Sequence, residues 1–445
     1  MLKLPRLAAK TEVLTPQALR DVLRQPVDEA RLPLWPDVLA AWPDSREHAR
    51  SFTQILQRFE ALRERWPLPQ GFPLEREAYA RYRDLARIWL AAARFHTRRY
   101  LDRPDRFDAL AALFDCLRQS LVTAALAHQP WPTELWPEIH RLYLDARPGS
   151  GRRDRTFAGA ARAYQRLLLL GLADLAGLHP REVAMLDALS EKWAPLVTVE
   201  ESQAEGWRID PEAAVPARWQ AAGTTAWRVN LETLFETLAV HQDLASAQGR
   251  YETLRQPSET IDRTWLETLL AHWRGETPGF APAVGETVEL VSGLTAIFEA
   301  LQGGEVRRET AVREADRWRL QGGTWQVGDL IAAFSPGGRQ RLQLRVVSHL
   351  HQPAPDEVVL AWRPLAGQVQ AVGVQPAHLP AQTRYQRALL LTDGETPRLL
   401  LAAQPLAAEL VVLVLIGQRR YPVRLVQRRN SAWGILDFRC LPLQK

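Results

Sequence analysis

The sequence predicts an α+β multidomain protein: an all-α bundle or irregular solenoid over 1–280, then two small antiparallel β-barrels over 283–378 and 379–445. Three observations predict it. Before Gly275, apolar residues recur at three- and four-residue spacing, the period of helices with one buried face. After Gly285 the period falls towards two, in short runs broken by Gly and Pro, as in small closed or sandwiched antiparallel sheets. Residues 281–445 hold 19 basic and 14 acidic side chains, and so all of the +5 net charge, while the front is neutral.

Taken in order, 1–43 is punctuated by Pro and holds one short helix near Pro16–Leu23, since each Pro biases its predecessor away from helix. Ser45 is a good N-cap for a helix to about Trp66, with Phe52, Ile55, Leu56, Phe59 and Leu62 as its stripe. Further helices are expected over about 75–101, 105–121, 134–145, 157–175 and 180–193, the last opened by Pro180 at a first-turn position. Two similar pieces, 206–210 and 226–230, alternate apolar and polar residues and are expected to pair as a ribbon. Asn230 and Ser258 cap two more helices, about 231–244 and 259–274, and 275–285 reads as a linker. Strands then follow over 288–294, 325–334, 342–347 and 358–362 in the first barrel. The second set is 388–391, 398–402, 410–416, 421–427 and 433–438, with turns at 393–394, 417–418 and 429–430.

The bulk numbers bound the rest. A 445-residue chain with 46% hydrophobic and 24% charged residues splits into two or three folded domains. The apolar run Leu410–Ile416 is too short to cross a bilayer, and the first ten residues lack the apolar run of a signal peptide. A cytoplasmic protein without membrane insertion is the expectation. Cys116 and Cys440 lie too far apart for a metal spacing, and Cys116 falls on an apolar helical face as an inert thiol. His349 and His351 would share one face of a strand, a half-site without a third ligand. No phosphate-loop, zinc-protease or nucleophile-elbow motif is present, so no enzyme, metal or cofactor is expected.

Arginine is the residue type that points to function. Its planar fork suits phosphate and carboxylate. Arg313 and Arg317 stand four apart ahead of the strand-rich block and could each grip a phosphate; Glu314 and Asp316 between them could instead neutralise them. Arg384-Tyr385-Gln386-Arg387 lies between the two strand sets, where Arg and Tyr could clasp an anionic ring system. Arg419, Arg420, Arg424, Arg428 and Arg429, with Tyr421 and Trp433, make a basic edge that could stack nucleic acid or simply guard a sheet edge.

The order Arg313-x-x-x-Arg317, Gly328-Asp329-Leu330-Ile331 and Arg345-Val346-Val347 resembles bacterial PilZ domains over about 60 residues. The helical front, with Ala163-Tyr164-Gln165-Arg166 and four Leu, is similar to the helical extension of some large proteobacterial proteins of that kind. The resemblance implies a small β-barrel that binds cyclic di-GMP through paired Arg and an Asp/Asn-x-Ser-x-x-Gly strand. The nearest match to that strand is Ala333-Phe334-Ser335-Pro336-Gly337-Gly338, with Ala in the place of the acid or amide. The implied ligand residues are Arg313, Arg317, Ser335 and Gly338, with Arg384 and Arg387 from the linker. Three functions follow: a non-enzymatic signalling receptor that reaches a protein partner through its helices, a ligand-independent adaptor or scaffold, and, less favoured, a nucleic-acid binder at the basic edge.

Overall fold

The computed structural model describes residues 15–42, 46–66, 76–99, 104–148, 157–247, 263–275, 287–314, 317–321, 323–334, 342–354, 356–365, 367–379, 384–392, 397–402, 410–432 and 434–443. The chain divides into two compact units, Met1–Leu175 with Pro180–Arg250 and Leu270–Glu276, and Ala176–His179 with Tyr251–Leu269 and Thr277–Lys445.

The first unit is helical. Its α1 (Pro16–Arg24), α2 (Trp35–Ala40), α3 (Arg46–Arg63), α4 (Arg76–Arg99), α5 (Pro104–Leu126), α6 (Trp136–Ala146), α7 (Phe157–Gly171) and α8 (Pro180–Trp193) lead into a four-stranded sheet. That sheet orders β1 (Thr198–Ser202), β4 (Ala226–Asn230), β2 (Gly206–Arg208) and β3 (Arg218–Gln220), all antiparallel. Then come α9 (Glu232–Ala247) and α10 (Arg263–Trp273). The expected ribbon is the β2–β4 pairing, with Trp207 opposite Val229. One helix was missed: Pro36 sits in the first turn of α2, where a missing N–H costs nothing, so the Pro-rich stretch starts a helix as well as breaking one. The Asn230 side chain accepts from the Glu232 backbone N–H ahead of α9, whereas Ser45 and Ser258 lie outside the described residues. By length and composition α5 could cross a membrane, but 72% of its most apolar window is buried in the protein, as in a core helix.

The core of this unit holds an ionic cluster. Asp115 on α5 accepts from Arg63 of α3 at 2.6 Å and from Arg118 at 2.9 Å. Arg118 also pairs with Asp187 of α8, and Arg63 with Glu60. Beside it, His140 is fully buried. Its Nε2–H donates to the Val215 carbonyl at 3.0 Å, which leaves Nδ1 to accept from the Tyr164 hydroxyl at 2.7 Å. Trp136 stacks on the imidazole. Burial lowers the His140 pKa below its ordinary 6.5, partly offset by the Val215 hydrogen bond and by Asp210. A depressed base is protonated first in the unfolded chain. Its contribution is therefore complete above about pH 6.5 and is lost as pH falls from there towards the folded value. Melting of the full chain should show the helical transition dropping between pH 7.5 and 5.5, with a smaller drop in His140→Gln. An equal drop in both proteins would assign the effect to other groups.

The second unit contains two closed barrels. The first orders β10 (Glu357–Pro364), β7 (Arg317–Gln321), β6 (Glu309–Glu314), β5 (Thr287–Ser292), β8 (Leu330–Phe334) and β9 (Gln343–Ala354). The second orders β11 (Gln368–Pro376), β12 (Gln386–Thr392), β13 (Arg398–Ala402), β16 (Ile435–Pro442), β15 (Arg419–Ala432) and β14 (Val411–Ile416). Both are antiparallel throughout. Three differences from the expected layout stand out. The strand 368–376 belongs to the second barrel, so the barrels meet at 365–367 and not at 378. The run 294–301 is a helix, α11 (Leu294–Leu301), rather than part of a strand. Arg429 and Asn430 lie inside β15, whose last residue, Ala432, is opposite Ile435 of β16.

Strand alternation divides the apolar residues among three cores. Val288, Leu290, Ile331, Ala333, Trp318 and Trp362 fill the first barrel. Leu399, Leu401, Val412, Val414, Leu425 and Phe438 fill the second. A third core lies between the barrels. Leu330, Ala332 and Phe334 face out of the first barrel and Leu389, Leu391 and Leu400 out of the second, with Leu294 and Ile297 of α11 among them. β8 and β13 are therefore buried on both faces, and the two barrels pack as one body.

Candidate functional site at the junction of the barrels

β12 opens where the chain re-enters the second barrel, and the residues flanking its start collect around one ring. Gly373 on β11 is opposite Arg387 on β12 and Leu415 on β14, and Leu415 is opposite Arg420 on β15. Val372, Val374, Ala388 and Val414 point into the barrel. By alternation the row Arg387, Gly373, Leu415, Arg420 faces outward. Tyr385 occupies the space that Gly373 leaves on this surface. A Cβ on Gly373 would come within 3.0 Å of the Tyr385 Cβ and 3.2 Å of its ring, so a larger residue there would push the tyrosine outward by a few tenths of an ångström. The Arg420 guanidinium stands 5.8 Å from the centre of the Tyr385 ring. The Tyr385 phenol oxygen is buried without a hydrogen-bond partner among the described residues. Arg384 is exposed one position before it.

Arg387 connects this row to α11. Its Nη1 donates to Glu299 at 2.7 Å, and its guanidinium lies 5.6 Å from the Phe298 ring. Both partners of that pair are about half exposed, so it holds geometry more than it adds stability. Farther along the second barrel, buried Arg398 and Asp437 form a bidentate pair. Arg363, at the end of β10, has its pKa lowered by burial and by the Arg398 charge, partly offset by Asp437.

The other expected site residues are placed elsewhere or not described. Arg313 is in β6, and Arg317 opens β7; Arg313 is paired with Trp318, and Arg317 with Glu314. They are diagonal neighbours in a hairpin of the first barrel, with β5 already before them, and do not precede the barrel. The charged stretch 307–319 conceals that hairpin: Arg317, Arg319 and Gln321 face solvent, while Trp318 and Leu320 are buried. Ser335 and Gly338 lie outside the described residues. His349 and His351 are both on β9, opposite Ala361 and Val359. Among the described residues no group of three or more His, Cys, Asp or Glu could hold a metal. Burial pushes the Cys440 thiol up to about 12 and the Cys116 thiol well above its ordinary value, so neither is a thiolate at neutral pH.

Sequence reasoning found Arg384, Tyr385 and Arg387 as one feature and Arg420 as another. It missed Phe298, Glu299 and Gly373, which carry no local signal. Guanidiniums do not lose their protons in proteins, so the cluster is suited to holding an anion and a flat ring and not to proton transfer.

Residues 4–204 match the family described as cyclic-di-GMP receptor FimW, N-terminal domain. The match covers a little under half of the chain and falls on the helical unit, ending after β1. The two six-stranded barrels beyond it fit the architecture that the PilZ resemblance implies. No curated protein and no solved structure matches the chain.

Proposed function

We propose that this chain is a non-enzymatic signalling receptor for cyclic di-GMP. The observation that carries the reading is the match of residues 4–204 to the N-terminal domain of a cyclic-di-GMP receptor, ahead of two small barrels with Arg420 beside Tyr385 and Arg387 beside α11. Arg384 and Arg387 would hold the phosphates, as charge-assisted pairs to a guanidinium fork. The helical unit would carry the output to a protein partner, provided the ligand favours one arrangement of the chain over another.

Calorimetric titration of the full chain with cyclic di-GMP tests this. Binding is expected, and each of Arg384→Ala and Arg387→Ala should weaken it by at least about tenfold, the cost of one charged hydrogen bond. Arg313→Ala/Arg317→Ala distinguishes the hairpin pair: an unchanged affinity assigns the ligand to the junction, and a loss assigns it to the hairpin. No heat at high micromolar ligand would sink the reading in favour of a ligand-independent adaptor.

A further inference from the structure

We infer that Arg420 and Tyr385 form a base-recognition element of the same site, in which Tyr385 is a positioning residue and Arg420 contacts the ring of the ligand. The inference rests on the cyclic di-GMP reading and joins into one element two features, the Arg384–Arg387 segment and the basic edge, that the sequence leaves apart and the family match does not cover.

Three features of the surface support it. Gly373 leaves a gap in the outer face of the barrel, and the Tyr385 ring lies over it, so near that a Cβ on Gly373 would meet the ring at 3.2 Å. Leu415 beside Gly373 brings Arg420 from the next strand over that ring, 5.8 Å from its centre. No carboxylate among the described residues pairs with Arg420, whereas Arg387 in the same row is engaged by Glu299. Arg420 therefore has one face turned to tyrosine and, among the described residues, no carboxylate to neutralise it.

A guanidinium fixed in this way offers what a guanine needs. It stacks on a purine as it does on tyrosine. Its paired N–H groups match the O6 and N7 acceptors of guanine. Lysine offers the charge without the plane. Arg420 thus complements Arg384 and Arg387, which the proposed function assigns to phosphate and which flank Tyr385 in the chain. Arg420 is exposed and Tyr385 lies on an outer face, so substitutions there leave the barrel interior intact.

The experiment titrates full-length protein with cyclic di-GMP in wild type, Arg420→Ala, Arg420→Lys, Tyr385→Leu and the Arg420→Ala/Tyr385→Leu double variant, with melting curves as a check on folding. Arg420→Ala should weaken binding about tenfold, within the range for one stacked base. Arg420→Lys should recover little of it. Tyr385→Leu should weaken binding by less than Arg420→Ala, and the double variant should be no worse than Arg420→Ala alone, because tyrosine acts through arginine. Arg420→Ala within twofold of wild type, while Arg384→Ala loses binding, overturns this inference and leaves the receptor reading standing. Full recovery by Arg420→Lys overturns it too, since charge alone would then suffice. Wild type that takes up no cyclic di-GMP overturns both.

Discussion

Asp437→Ala is expected to cost the second barrel about 3–5 kcal/mol, the penalty for leaving one partner of a buried ion pair uncompensated. Asp437 is 0% exposed and accepts from both Nε and Nη2 of Arg398, itself almost buried. Without the carboxylate, Arg398 is left in a dry environment near enough to Arg363 for the two charges to repel. The cost is one of desolvation and is not the net worth of the pair. Replacing both partners, as in Asp437→Leu/Arg398→Met, should therefore restore most of the stability. Guanidinium chloride unfolding measures both, and hydrogen exchange in β13 and β16 locates the loss. A single-variant cost below 1 kcal/mol would mean that water reaches Arg398.

Asp115→Ala should destabilise the helical unit by about 2 kcal/mol, less than for a fully buried pair, because the Asp115 side chain is 30% exposed and Arg63 keeps Glu60 and Arg118 keeps Asp187. Burial by itself would raise the Asp115 pKa. The Arg118 charge and the hydrogen bond from Arg63 outweigh it, and the net shift is downward. A depressed carboxyl contributes fully above its unfolded pKa, near 3.8, and loses that contribution as pH falls towards the folded value. The difference in unfolding free energy between wild type and Asp115→Ala should thus hold constant from pH 7 to 5 and shrink below pH 4. A constant difference down to pH 3 would show that packing, and not charge, explains the loss.

Much of the architecture was readable because burial follows period. The stripes of α3, α4 and α5 repeat every three to four residues, and in the second barrel inward residues fall two apart, as with Leu399 and Leu401 or Val412 and Val414. Two kinds of element escaped. Short helices in strand-like or Pro-rich surroundings did so because α2 spans six residues and α11 eight, too few for a periodic signal. The division between the barrels was misplaced because Pro380 looked like a boundary, whereas β11 pairs with β12 and β14. Pairing partners are chosen by barrel closure, which no local pattern records.

The candidate site separates along the same line. Sequence by itself determined the helical front, the change to short strands, the excess of basic over acidic residues in the back part and the Arg384–Arg387 segment, since each depends on residues close together in the chain. Only the tertiary structure decided that Arg420, Gly373 and Glu299 meet Tyr385 and Arg387, that Arg313 and Arg317 belong to a hairpin, and that a third apolar core joins the barrels. The physical reason is that closing an antiparallel sheet brings distant strands into register, and a side chain then acquires neighbours by row and face instead of by order along the chain.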